Sequence, residues 1–303
     1  KFVGTYLCKQ KQILKTKAGK TYYSLTLQDK TGTADGKIWE LNNGIANFEP
    51  MDYIHCEGMV TSFQGNLQMN ISRVRISDEG EYDPADYVPC TNKDVGEMFS
   101  RILKYVASVQ NKYLRKILEM YFVENKEFVD AFKKHSAAKS VHHGFMGGLL
   151  EHTLSVTDMC QYFAEHYPMI HRDLLITAAL FHDMGKIQEI SDFPMNDYTD
   201  DGQLLGHIYI GARCMENAAA QIPNFPPKLK NELVHCILAH HGKMEFGSPK
   251  VPAIMEAMAL HMADNADAKL QTLTEVFTQA GDNMGWLGFN RMFESNLRKT
   301  SEE

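Results

Sequence analysis

A chain of 303 residues with 44% hydrophobic and 23% charged positions is long enough for two domains and has the composition of a globular protein. A formal net charge of −7 excludes a generally basic nucleic-acid binder, and the apolar runs are interrupted by charge well short of a membrane span. Six scattered cysteines (Cys8, Cys56, Cys90, Cys160, Cys214, Cys236) form no CxxC pair, and residue 1 does not open a signal peptide; free thiols in a reducing cytoplasm are expected.

From Lys1 to about Asp78 the pattern alternates with period two. Tyr23, Leu25 and Leu27 alternate with Ser24, Thr26 and Gln28; Ile54, Cys56 and Val60 share a run; Leu67, Met69 and Ile71 alternate with Gln68, Asn70 and Ser72. Turn residues punctuate these runs at Ala18-Gly19-Lys20, at Asp29 to Gly32 and at Gln64-Gly65-Asn66. The spacing predicts about five strands and a short helix near Asn42 to Phe48, the order of a small OB-like barrel, with an SH3-like barrel as the alternative.

Charge divides unevenly within this half. Residues 1–37 carry eight lysines against Asp29 and Asp35, whereas residues 40–90 carry Arg73 and Arg75 against nine acids. A polyanion would meet one end of the chain only. Lys9, Lys11, Lys15, Lys17 and Lys20 are expected on one side of the barrel, brought there by the turn at Gly19. OB-folds hold single strands with a basic groove and aromatic platforms. The candidates are Lys15, Lys17, Lys20, Tyr22, Trp39 and Phe63, although Trp39 and Phe63 read equally well as barrel core.

The barrel domain is assigned to residues 1–80 and a linker, aperiodic and containing two prolines, to 81–93. From Asp94 the period becomes 3.6 (Val95, Met98, Phe99, Ile102, Leu103, Val106, then Leu114, Ile117, Leu118, Tyr121, Phe122). An all-α domain is expected over 94–290, broken at Pro168, Asp192–Gly206, Pro223–Pro227 and Gly242–Pro252, with a polar tail at 291–303.

Within that domain LITAALFHDMGK ends an apolar helix in His182 and Asp183, with Lys186 one turn on. A buried carboxylate needs compensation, and the chain offers His152 in GGLLEHTLSV, His207 in GHIYIGAR, His240 and His241 in ILAHHGK, and Asp264 in HMADNADAKL. One helix cannot supply such a set, whereas a bundle can. Imidazole with carboxylate suits first-row divalent metals, manganese first with iron, cobalt, nickel or zinc as alternatives, rather than calcium. Asp183 has two oxygens and can bridge two ions, with His152, His182 and Asp264 completing one site and His207, His240 and His241 the other. His240 and His241 would diverge by about 100° on a helix, so one of them is also a candidate for touching substrate. Lys186 reads as a cation that clamps phosphate. His142 and His143, just before the helix bearing His152, read equally as phosphate contacts or loop polarity, and His143 is kept as a substrate candidate. Asp267 is expected to stabilise its helix, and His135, His166, His171 and His235 to be structural. Ser155, Thr153 and Ser191 lack the glycine elbow of a serine nucleophile.

The order H…HD…D, extended by H…HH, is similar to the HD-domain metallophosphohydrolase superfamily, and the extended form resembles its two-metal members, including the HD-GYP phosphodiesterases. The GYP signature itself is absent, which counts against cyclic di-GMP. With the OB-like half and the segments GGLLEHTLSV and FHDMGK, nearly the whole chain resembles the YhaM-type 3′→5′ exoribonucleases. From the ligands alone, metal-lowered water pKa and in-line phosphoester hydrolysis follow, with Asp183 and Lys186 as the catalytic groups. The resemblance adds attack on single-stranded RNA from its 3′ end and release of nucleoside 5′-monophosphates; DNA as a further substrate and homo-oligomerisation stay open. Two other readings compete: a small-molecule phosphohydrolase (nucleotidase or cyclic-nucleotide phosphodiesterase) with the barrel as a regulatory or assembly module, and a binding protein with a relict site. Intact His182, Asp183, Lys186 and Asp264 weigh against the last.

Overall fold

The structure, a computed structural model, describes residues 1–63, 66–139 and 143–301. The Gln64-Gly65 turn and His142 lie outside the described residues, as does the Phe63 side chain. The chain divides into two compact units, Lys1–Cys90 with Asp192–Asn196, and Thr91–Ser191 with Asp197–Glu303.

Strands β1 (Phe2–Lys15), β2 (Thr21–Asp29), β3 (Gly32–Ile38), β4 (Tyr53–Phe63) and β5 (Asn66–Ile76) close into a barrel in the order β1-β2-β3-β5-β4. The β3–β5 pairing is parallel, whereas all other pairings are antiparallel and β4 closes onto β1. This is the OB arrangement and excludes an all-antiparallel SH3-like barrel. Inward residues of the alternating rows, among them Leu25, Leu27, Ile38, Ile54, Cys56, Met69 and Ile71, form one apolar cluster. Val60 departs from its row: past a register shift between Glu57 and Gly58 the end of β4 leaves the core, with Met59 55% and Val60 46% exposed. The helix expected near Asn42 to Phe48 is absent. The Asn42 side chain instead accepts from Gly44 N–H, an Asx turn, and Ile45 bridges to Val74. Lys11 also leaves the expected basic face: its side chain is 7% exposed, donates to the Phe48 carbonyl and lies over the Tyr23 and Phe48 rings.

The segment expected as a free linker is largely bound to the barrel. Glu81 pairs with both guanidinium nitrogens of Arg75 at 2.6 and 2.9 Å, and Tyr82 stacks on Tyr53 at 4.0 Å. Lys30 reaches Asp86 at 2.7 Å, and Gln28 donates to the Tyr87 carbonyl at 2.9 Å.

The second unit holds α1 (Val95–Ser108), α2 (Lys112–Glu119), α3 (Lys126–Lys134), α4 (Gly148–His166), α5 (Arg172–Phe181), α6 (Lys186–Glu189), α7 (Asp200–Ala220), α8 (Pro227–Ala239) and α9 (Met255–Gln279). Asp94, Asn111, Asn125 and Thr199 cap α1, α2, α3 and α7 through side-chain oxygens, and the His171 ring caps α5. Helix α5 is buried at every position from Leu174 to Phe181 and packs on α4, α8 and α9. A helix apolar all round belongs in the middle of a bundle. Two boundaries differ from expectation. Helix α7 begins at Asp200, inside the predicted break, and kinks at Gly206 (φ 72°, ψ 152°). Past α9, the pair β6 (Phe289–Asn290) and β7 (Ser295–Asn296) forms a short hairpin where a polar tail was expected. Among the described residues no helix is long and apolar enough to cross a membrane.

Phe181 ends α5 fully buried, edge-on to Tyr121 at 5.3 Å and tilted against Phe122 at 5.4 Å. Phe181→Ala is expected to cost about 3–5 kcal/mol of helical-domain stability. Urea unfolding followed by helical circular dichroism checks this, and an unmoved midpoint contradicts it.

Candidate metal centre

Helix α5 carries the centre's axis. His182 and Asp183 follow its last residue and are 0% and 2% exposed, so both side chains are delivered into the bundle interior. Helix α4 contributes His152, α7 His207, the end of α8 His240 and His241, and α9 Asp264.

The two oxygens of Asp183 face different neighbours. Oδ2 lies 3.3 Å from His152 Nε2, 3.5 Å from His182 Nε2 and 2.6 Å from Lys186 Nζ. Oδ1 lies 3.6 Å from His207 Nε2 and 3.7 Å from His240 Nε2. Asp264 Oδ1 is 3.2 Å from His152 Nε2 and 3.9 Å from His182 Nε2. The ligand atoms thus gather into two trios, His152–His182–Asp264 and His207–His240–His241, each with its atoms within 4.8 Å of one another.

Five imidazoles point the same nitrogen inward because each is held by the other. Nδ1 of His152 meets Asp267 at 2.7 Å, of His182 the Ala179 carbonyl at 2.7 Å, and of His207 Glu189 at 2.9 Å. Nδ1 of His240 meets the Ile237 carbonyl at 2.7 Å and of His241 the Phe246 carbonyl at 2.8 Å. Every partner is an acceptor, so each Nδ1 carries a proton, and each ring presents an Nε2 lone pair when it is neutral. That is the tautomer of a metal ligand. Asp183 Oδ1, His207 Nε2 and His240 Nε2 are buried without a hydrogen-bond partner. A buried, unsatisfied acceptor costs about 1–3 kcal/mol, and a divalent cation between them satisfies all three. The residues fit the metal.

The protonation states of His182 and His241 agree. Burial holds His182 down at about 4, and burial with the neighbouring His240 and His207 holds His241 at about 3, so both rings are neutral near pH 7. Burial would raise Asp183 and Asp264. It is outweighed at Asp183 by Lys186, His182 and His152 and at Asp264 by His152 and His182, and both stay well below the usual carboxylate range. Burial would lower Lys186, but Asp183 beside it wins and keeps the ammonium charged. At His152 burial opposes a charge that Asp183, Asp264 and Asp267 favour, and the carboxylates raise it well above its ordinary value.

Two local features aim the α7 ligand. A Cβ at Gly185 would lie 2.1 Å from the His207 backbone oxygen, so only glycine lets the turn after Asp183 press against α7. The positive φ of Gly206 breaks α7 just before His207, whose freed N–H donates to Glu189 at 2.9 Å.

The structure brings together His152, His182, Asp183, Lys186, His207, His240, His241 and Asp264. His240 and His241 lie together at the C-terminal end of α8, with rings 4.2 Å apart, and both join His207 in one trio. One expectation is corrected. Asp267 does not serve its own helix: it is buried and binds His143 at 3.0 Å, His152 at 2.7 Å and the Ser155 hydroxyl. His143 is 2% exposed against that carboxylate. His143, His152 and Asp267 also cluster closely enough for an ion. Their separations are those of hydrogen bonds, and His152 already directs Nε2 elsewhere, so they are an orienting relay. His135, His166, His171 and His235 are structural: respectively, contacts to the Ser136 and Ile190 carbonyls, a stack on Tyr162, the α5 cap and an acceptor for Ala253 N–H. Glu189 escaped sequence reading, as did His261, whose Nδ1 holds the His240 carbonyl at 3.0 Å. Nothing in their spacing announces either.

The HD domain family matches residues 149–269, which span the ligands from His152 to Asp264. Fold and centre therefore define a metal-dependent HD-domain hydrolase preceded by an OB-type barrel. Three curated relatives, each described as 3′-5′ exoribonuclease YhaM, come from Geobacillus sp. (strain WCH70), Bacillus subtilis (strain 168) and Listeria innocua serovar 6a. They are 32%, 32% and 33% identical, over 84%, 84% and 85% of this chain and 78%, 81% and 82% of their own lengths. The chain belongs to the YhaM family. A solved structure, the second OB-fold domain of replication protein A from Methanococcus maripaludis, is 19% identical over 26% of this chain and 86% of its own, with a TM-score of 0.21, too low to add to the strand order.

A proton and a metal ion compete for His152 Nε2. Because its pKa is raised while those of His182 and His241 are lowered, His152 is the ring that acid claims first. Manganese affinity is therefore expected to fall as pH drops, with protons released on binding. Calorimetry in buffers of different ionisation enthalpy measures both; a pH-independent affinity contradicts the assignment.

Proposed function

We propose that this protein is a 3′→5′ exoribonuclease that uses two divalent ions, manganese first among them, to release nucleoside 5′-monophosphates from single-stranded RNA. The observation that carries the reading is that the two oxygens of one buried carboxylate, Asp183, face two separate ligand trios, one of three histidines and one of two histidines with Asp264. Membership of the YhaM family supplies the nucleic-acid substrate and the direction of attack.

In this reading His152, His182, Asp183 and Asp264 hold one ion, and Asp183, His207, His240 and His241 the other. Such ions supply a water of lowered pKa and offset charge on the phosphoryl oxygens. Lys186, held charged 2.6 Å from Asp183, adds a fixed cation for the phosphate. No serine nucleophile is needed, and Ser155 is spent on Asp267.

The barrel binds the strand. Tyr22 and Trp39 stack at 4.6 Å with 26° between their planes, and Trp39 is 39% exposed with its indole N–H on Asn70. That pair supports the platform reading over the core reading for Trp39; an aromatic platform contributes about 1–3 kcal/mol per stacked base. Lys15, Lys17 and Lys20 are exposed around the β1–β2 turn, with Lys20 3.3 Å from Glu40. All six cysteines are free, in keeping with a cytoplasmic enzyme.

Asp183→Ala is expected to bring RNA degradation to background and to lower bound metal while preserving helical content. Wild-type protein with manganese and 5′-labelled RNA should give a ladder shortened from the 3′ end, and a 3′-phosphate should block it. Internal cuts, or cleavage of a small phosphoester with RNA untouched, would overturn the reading in favour of a small-molecule phosphohydrolase.

Replacing Lys15, Lys17 and Lys20 with Ala is expected to raise KM for long RNA and flatten its salt dependence by roughly 0.7 in log–log slope for each phosphate no longer neutralised. Hydrolysis of a dinucleotide should barely change. Equal losses on both substrates would assign these lysines to folding.

A further inference from the structure

Two buried carboxylates lie outside the ligand set, and each holds one histidine of one trio. Asp267 on α9 receives His152 Nδ1–H at 2.7 Å and His143 Nε2 at 3.0 Å on one oxygen, and the Ser155 hydroxyl on the other. Glu189, the last residue of α6, receives both the backbone N–H and the ring Nδ1–H of His207 on one oxygen, each at 2.9 Å. The other three rings are anchored on backbone carbonyls, those of Ala179, Ile237 and Phe246. Each trio therefore contains a single imidazole backed by a negative charge. A carboxylate on Nδ1 fixes the ring plane and makes Nε2 a stronger donor to a cation than a neutral carbonyl does.

We propose that Asp267 and Glu189 are positioning residues that set the affinities of two ions independently, Asp267 through His152 and Glu189 through His207. The inference rests on the two-ion reading of the centre. The backings differ in rigidity. Asp267 is held by three donors, two of them on α4, whereas Glu189 serves one residue just past the kink at Gly206. The His152 side chain is 2% exposed and that of His207 12%. The ion on the Asp267 side is the tight one, and the ion on the Glu189 side exchanges more readily.

The test is a manganese titration of the full chain by calorimetry, comparing wild type with Asp267→Asn and Glu189→Gln, which keep volume and an acceptor oxygen but lose the charge. His207→Asn marks which binding class belongs to its trio. Asp267→Asn is expected to weaken the tighter class about 10–100-fold and leave the other within about twofold, and Glu189→Gln to do the reverse. The RNA-degradation rate of each variant should recover when manganese is raised by the same factor, which a folding defect would not allow. Ser155→Ala and Glu189→Asp give smaller losses in the same respective classes and serve if an amide variant fails to fold. One ion per wild-type chain overturns the two-ion reading. Two ions in wild type, with variants that weaken both classes together or neither, overturns the independent assignment alone.

Discussion

A carboxylate cannot sit at the centre of a helical bundle unless the bundle supplies charge to meet it, and most of the second unit is arranged around that constraint at Asp183. Helix α5 is apolar on every side so that it can run through the core, and it ends where the charge begins. Lys186 supplies one such charge, and imidazoles on three other helices converge on the same carboxylate as donors for a cation. None of those rings acts by proximity alone. Each is rotated and protonated by what its outer nitrogen binds, and three of the five anchors are backbone carbonyls that exist only when the helix ends are formed. Folding and construction of the centre are thus one event.

The histidines and aspartates nearest Asp183 were legible because they fall in apolar helical patterns, where a titratable side chain is conspicuous. The second layer was not. Asp267 lies one turn past Asp264 and reads as one more acid on a helix; its role depends on α4 placing His152 and Ser155 opposite it. Glu189 has no pattern around it, since its role depends on a kink seventeen residues downstream.

In the barrel, alternation sufficed for the strands and failed where the backbone departs from a regular ladder. Past the shift at Glu57–Gly58 both Met59 and Val60 are exposed, and an asparagine side chain replaced a helix with a turn. Lys11 shows the limit of counting charges: a lysine in a basic segment became a core component, its ammonium lying over two aromatic faces. Local net charge therefore overstates what the surface offers a polyanion.

The bound segment after β5 bears on how the protein is dissected. A fragment cut at residue 80 would strip Tyr53 of its stacked Tyr82, Arg75 of Glu81 and Lys30 of Asp86, baring an aromatic face and leaving two exposed cations without their carboxylates. Such a piece would present a surface that differs in charge and aromatic exposure from that of the intact chain. Ending the fragment at Cys90 retains these contacts, so isolated-domain affinities carry meaning only with that boundary.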